Sequence, residues 1–122
     1  MTTIFAALEA ASRIIIAAPI FFTTVPAQTK AMIDRTQVCW SRKYVLKLPP
    51  PRPDRVGAFI CVGGFVKGRR FFECAQRVVS VWFLVQDIAY KQGLFFPGVD
   101  TMGDAANHPE AMRRCRELGL QL

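Results

Sequence analysis

The chain has 122 residues, 52% of them hydrophobic and 20% charged, with a formal net charge of +7. That balance excludes a disordered chain, and the length fits one domain over residues 1–122 with a core that needs no disulfide or structural metal. Its longest apolar run, Ile14–Phe22, contains Pro19 and falls short of the ~18 residues of a membrane span, and the start, which carries Glu9, lacks a signal peptide's basic segment, so a cytoplasmic protein without a membrane partner is expected.

Thr3–Ala11 is rich in helix formers, with Phe5, Leu8 and Ala11 or Ser12 on one face. Arg13–Phe22 follows, an apolar, β-branched run without alternation, which predicts a strand buried on both faces. Thr24 offers an N-cap and Pro26 a first helical turn for a helix reaching about Cys39 or Trp40. Leu48–Pro53 places four prolines in six residues and predicts a stiff surface connection. Arg55–Val62 predicts a second buried strand that ends in the Gly63–Gly64 turn.

The spacing of Phe72, Ala75, Val79, Trp82, Gln86 and Ala89 predicts a long helix from about Arg69 to Gln92, closed by Gly93. Leu94–Val99 reads as a short third strand, and Pro97 places it at an edge. Asn107 caps a last helix that holds Pro109 and Glu110 in its first turn and runs to about Leu118. Helices alternating with apolar strands imply a three-layer α/β sandwich with a parallel sheet.

Cys39, Cys61, Cys74 and Cys115 lie too far apart for a short-spaced ligand set, and the one histidine, His108, is seven residues from the nearest of them. No metal site is expected, and the thiols read as reduced and mostly buried. Positive charge concentrates between Lys30 and Arg70, with ten basic and two acidic residues. Such a field attracts phosphorylated ligands or polyanions, but no recognition motif accompanies it. Solvated surface cations are the simpler reading, and nucleic acid is disfavoured.

In an open α/β sheet, ligands sit beyond the C-terminal strand ends. Three corners qualify: Pro19–Val25, Gly63–Gly68 and Pro97–Gly103. Phe21 and Phe22 occupy a turn where polar residues are usual. They either cap the core beneath or present a flat apolar surface beside free backbone donors, suited to a planar heteroaromatic ring. At the second corner, Gly63 and Gly64 permit close backbone approach, Phe65 adds an apolar face and Lys67 a charge.

The run Ile14–Ile15–Ile16–Ala17–Ala18–Pro19–Ile20–Phe21–Phe22, followed by Val25–Pro26–Ala27–Gln28–x–Lys30–Ala31–Met32–Ile33–Asp34–Arg35, closely resembles the NAD(P)H-dependent FMN reductase family, which has a flavodoxin-like fold. Asp34–Tyr44 is similar to the branch containing iron–sulfur flavoproteins, and the strand ending at Gly63–Gly64 and the Gly98–Ala105 segment match the family's order. The resemblance implies FMN between two turns. Backbone groups of Pro19, Ile20, Phe21, Phe22, Thr23 and Thr24 would meet the polar edge of the ring system, and Gly63, Gly64 and Phe65 would line the other side. It further implies NAD(P)H as electron donor, a dimer with the flavin near the interface, and no catalytic side chain, the cofactor carrying the redox chemistry. Asp34 and Arg35 then read as an exposed pair or packing contact, and Asp100 and Asp104 as turn residues.

The resemblance starts at the family's second helix, so its first two strands, its first helix and its phosphate-binding loop have no counterpart here. The Arg13–Phe22 strand then becomes an exposed apolar edge, which predicts a homo-oligomer or pairing with a companion fragment. The alternative function is a non-catalytic interaction or remnant domain that keeps the α/β scaffold without the FMN phosphate site.

Overall fold

The computed structural model describes residues 2–66 and 68–122, so the charge expected from Lys67 lies outside the described residues. Helix α1 (Thr2–Ala10) leads into strand β1 (Arg13–Pro19). Helices α2 (Ala27–Arg35) and α3 (Gln37–Trp40) and a π-helical turn (Ser41–Val45) precede the proline segment and β2 (Val56–Gly63). A 3₁₀ turn (Arg69–Phe72) opens α4 (Glu73–Val85), and β3 (Ala89–Pro97), α5 (Asp104–Asn107) and α6 (Ala111–Gln121) follow. The strands form one parallel sheet in the order β1-β2-β3, paired without interruption from Arg13↔Val56 to Pro19↔Val62 and, with one extra β3 residue between Gly57↔Tyr90 and Ala58↔Gln92, from Val56↔Ala89 to Gly63↔Pro97.

Two cores flank this sheet. On one face Ile14, Ile16, Ala18, Phe59 and Cys61 pack with Ala75, Val79, Trp82 and Phe83 of α4, and Leu8, Met32 and Ile33 complete the layer. On the other, Ala58, Leu94 and Phe96 pack under Ala111 and Leu118 of α6.

Burial along β1 overturns the expectation of a strand covered on both faces. It alternates strictly, with Ile14, Ile16 and Ala18 inside and Ile15 48% exposed. The helix on that second face, α6, packs on β3 and leaves Ile15 and Ala17 bare. The strand's outer edge is open as well. Val56 N–H donates to Ser12 O at 3.0 Å and Ile20 N–H to Val62 O at 2.8 Å. In-plane alternation therefore turns the even-numbered residues of β1 toward β2 and Arg13, Ile15, Ala17 and Pro19 outward.

Four element boundaries also differ from expectation. Thr24 does not cap α2, because its backbone pairs with Phe21; Pro26 precedes the helix without a side-chain cap. Thr36 interrupts the helix that follows. Its hydroxyl donates to Ile33 O and accepts from Trp82 Nε1, each at 2.7 Å, and helical structure then continues to Val45.

Helix α4 stops at Val85 rather than near Gly93. Asp87 adopts φ 55°, its N–H donates to Leu84 O at 3.3 Å, and Ile88 N–H donates to Phe83 O at 2.9 Å. This is a Schellman termination with aspartate in the left-handed position, and it frees Ala89–Gln92 to begin a nine-residue β3. Finally, Asn107 ends the short α5, and α6 starts at Ala111 after Glu110.

Arg55 joins these layers from a buried position at 4% exposure. Its guanidinium donates to Leu8 O at 2.6 Å, Gln86 O at 2.7 Å and Ala11 O at 3.3 Å. These are carbonyls at the ends of α1 and α4, which have no intrahelical partner and carry partial negative charge. Burial lowers the pKa of Arg55, a shift opposed by Asp87. Of the thiols only Cys61 is fully buried; Cys39 and Cys115 are half-buried and Cys74 is exposed, against the expectation that most would be inside. No helix among the described residues is long and apolar enough to cross a membrane.

Candidate functional site

The C-terminal ends of the three parallel strands converge on a crest built from three short loops. Strand β1 delivers Pro19 and Ile20 into a tight reversal in which Phe21 N–H donates to Thr24 O at 2.9 Å and Thr24 N–H to Phe21 O at 3.0 Å. The two central residues, Phe22 and Thr23, have φ of 47° and 67°. This is the geometry of a two-residue hairpin turn, normally given to Gly or Asn, and a bulky or β-branched residue there stores about 1–2 kcal/mol of strain. The strain is held by the fold, since Thr23 O accepts from Ala75 N–H at 3.2 Å. Phe22 stands 101% exposed and Phe21 57% exposed. Both rings face outward and do not cap the core.

The second loop lies directly beside the first. A Cβ built on Gly63 would sit 2.7 Å from Ile20 Cγ2, and one on Gly64 would sit 2.6 Å from Asp100 Oδ1. The Gly63 contact, against Ile20 and the Phe65 ring, demands glycine, while at Gly64 the exposed Asp100 side chain would have to swing aside. The third loop closes on the same segment, with Val99 N–H donating to Gly63 O at 3.0 Å and Gly98 N–H to Phe65 O at 2.9 Å. Asp104 fixes that loop by accepting from Thr101 N–H at 2.8 Å and Asp100 N–H at 3.0 Å. Those two N–H groups, with the Thr101 hydroxyl, hold the Asp104 carboxyl below the usual carboxylate range. Asp100 lies in this loop, whereas Asp104, expected as a turn residue, opens α5.

The crest thus brings Pro19, Ile20, Phe21, Phe22, Thr23 and Thr24 against Gly63, Gly64 and Phe65. Phe65 behaves differently from the other aromatics. Its ring packs on Phe71 and Phe72 at centroid distances of 4.5 and 5.2 Å and so forms a wall continuous with the core. Among the described residues, the N–H groups of Phe22, Thr23, Gly64 and Phe65 have no acceptor. Free donors beside flat apolar surface can meet the polar edge and the face of a planar heterocycle. The role of Asp100 in seating Gly64 was not readable from spacing, because the contact joins residues far apart in sequence.

Much of the positive charge between Lys30 and Arg70 serves internal contacts. Lys30 pairs with Asp34 at 2.7 Å, Lys43 with Asp87 at 2.7 Å and Arg42 with Glu9 at 3.4 Å, while Arg55 is buried. The Lys30–Asp34 pair is exposed, so Asp34 is a surface partner and no part of the crest.

Comparison with solved structures shows the same architecture. A thermophilic tryptophan halogenase from Streptomycin violaceusniger superimposes with a TM-score of 0.68 at 14% identity, over 95% of this chain and 70% of that one. A flavone reductase gives 0.62 at 16% identity over 94% and 41%. General stress protein 14 of Treponema denticola, solved in complex with FMN, gives 0.60 at 17% identity over 95% and 67%. At these identities the likeness concerns the fold, which is flavodoxin-like. In sequence, the chain is 37% identical over 68 residues to an iron-sulfur flavoprotein of Methanosarcina thermophila, covering 56% of this chain and 32% of that protein. The chain therefore spans about a third of the length of that relative. The sequence model of NADPH-dependent FMN reductases matches residues 1–90. With that match over most of its length, and with the parallel sheet and crest in the expected places, the chain belongs to the NADPH-dependent FMN reductase family.

Proposed function

We propose that this chain acts in an FMN-binding oxidoreductase that passes reducing equivalents from NAD(P)H to the flavin, and that the crest is its flavin-facing wall. One observation carries the reading: the Phe21–Thr24 turn and the Gly63–Phe65 loop meet at the Ile20–Gly63 contact, with unpaired N–H groups on both. The residues fit the ring end of FMN. Phe21 and Phe22 supply exposed apolar area, and Thr23, Gly64 and Phe65 supply backbone donors. None of the described crest residues is basic, so the phosphate would be met by groups outside these loops. When bound, FMN supplies the redox chemistry. The chain's own part is to orient the ring, to hold donors at its polar edge and to leave one face open to a nicotinamide. No side chain is needed as an acid or base.

The bare side of β1 supports a further element of the proposal. Ile15 and Ala17, with the open edge beside them, would be covered by a second copy or a companion chain, and a cytoplasmic setting accords with four free thiols. The same surface favours the second reading, a non-catalytic interaction domain that keeps the scaffold. Titration of FMN with the purified chain separates the two. Quenching of flavin fluorescence at micromolar protein, weakened at least several-fold in Phe22→Ala, with flavin-dependent oxidation of NADH or NADPH, is the expected result. A colourless protein that leaves FMN fluorescence unchanged overturns the enzymatic reading and favours the interaction domain.

A further inference from the structure

A second cleft lies at the β3 end of the crest, behind the Phe65 wall, which packs on its Phe72. It has a volume of about 230 Å³ and is lined by Arg69, Phe72, Phe95, Pro97 and Arg114. Its two cations come from different elements, Arg69 from the 3₁₀ turn before α4 and Arg114 from α6. Each leans on an aromatic ring of β3, with Arg69 Cζ 5.9 Å from the Phe95 centroid and Arg114 Cζ 5.6 Å from that of Phe96. Those rings are themselves fixed. Phe95 is 9% and Phe96 2% exposed, and Phe72 packs on Phe95 at 5.3 Å. Stacking of this kind restricts a guanidinium before any ligand arrives and so lowers the entropy cost of binding.

The charge of the cleft is answered by the protein only in part. No carboxylate lines it; Arg114 reaches Glu110 only at 3.9 Å, and Arg69 forms no ion pair among the described residues. Arg69 and Arg114 reach the cleft from rings on opposite faces of β3, and an oxyanion between them would answer both charges. The remaining walls are two phenyl rings and a proline, which a bare inorganic ion would leave unused. The volume lies just below the range of drug-sized sites, which limits the apolar part to about one ring.

We infer that this cleft binds a small oxyanion carried on a single flat ring, a carboxylate or a phosphate monoester, with Arg69 and Arg114 gripping the anionic end and Phe72, Phe95 and Pro97 enclosing the ring. The inference is independent of the flavin reading, because it requires neither FMN nor the Phe21–Thr24 turn.

Isothermal titration of the full chain with benzoate and with phenyl phosphate tests it, and the stronger of the two identifies the anionic group. At least one should bind saturably, one per chain. Inorganic phosphate and uncharged benzyl alcohol should each bind at least ~5-fold more weakly. Arg69→Gln and Arg114→Gln should each weaken binding about tenfold, as expected for loss of one charge-assisted contact. Arg114→Lys, which keeps the charge and loses the fork, should fall between. Thermal melting establishes that each variant is folded. Absence of saturable binding by both ring-bearing acids overturns the inference. So does an affinity unchanged in both folded glutamine variants, or inorganic phosphate or benzyl alcohol binding as tightly as the ring-bearing acids.

Discussion

Gly63 and Ile20 touch so closely that a single methyl group on the glycine would lie 2.7 Å from the isoleucine's Cγ2, with the Phe65 ring 3.0 Å away on another side. The contact fixes the spacing of two loops whose touching residues lie 43 positions apart in the chain. Gly63→Ala should push them apart, destabilise the fold by roughly 1–3 kcal/mol in urea unfolding and abolish FMN quenching. Gly119→Ala is the matched control, since nothing lies within 4 Å of a Cβ there and the position is helical and exposed. It should gain about 0.5–1 kcal/mol and leave flavin titrations as they are. Equal behaviour of the two variants would show that the loops need no close approach.

Ile15 offers a large apolar side chain to solvent from a strand whose backbone edge is open. Ile15→Lys should therefore reduce self-association, seen as a lower weight-average mass in sedimentation equilibrium, while the melting temperature of the dissociated chain changes little. A monomeric parent, or a variant that associates like the parent, would remove β1 as a contact surface.

Thr36 and Trp82 share one buried hydrogen bond. Replacing threonine with the isosteric valine keeps the volume and leaves the indole N–H without its acceptor, while the Ile33 carbonyl keeps the backbone N–H of residue 36 at 3.1 Å. Thr36→Val should cost about 1–3 kcal/mol in urea unfolding, and Thr36→Ser should recover most of it. A neutral valine variant would mean that water replaces the hydroxyl.

Cys61 supplies a pH dependence whose direction is fixed by its burial. Desolvation pushes the thiol from 9.0 up to about 12, opposed only by the backbone of Val62. Because the folded value lies above the unfolded one, this contribution to stability is complete below about pH 9 and is lost as pH rises toward the folded value. Urea midpoints should fall over that interval, and Cys61→Ala should show a shallower fall from a lower starting stability. Identical slopes would assign the loss to other groups, Tyr90 and Cys115 among them, whose values burial also raises.

The alternation of helices and apolar strands was legible in the chain, and so was the position of the glycine corner, because continuous β-branched runs and paired glycines have few other uses. What escaped was decided by contacts between distant residues. Asp87 ends α4 with a left-handed residue that sequence reading assigns to glycine, so the helix was expected to reach the real glycine at position 93 and β3 lost its first half. Ile15 reads as core by composition and is half exposed, because exposure depends on whether a helix lies above it. Phe22 and Thr23 fall within the expected Pro19–Val25 corner, but neither residue type signals a left-handed backbone. Their positive φ values follow from the Phe21–Thr24 pairing and the Ala75 anchor, neither of which has a local signature.

Pro19 closes β1 on the side facing away from β2, where a ring nitrogen takes the place of a donor. A visiting strand would find partners as far as Ala17 and then a gap, so any extension of the sheet would halt one step below the loops. Recruitment of a neighbour and admission of a flat ligand could therefore proceed on the same molecule without competing for the same ground.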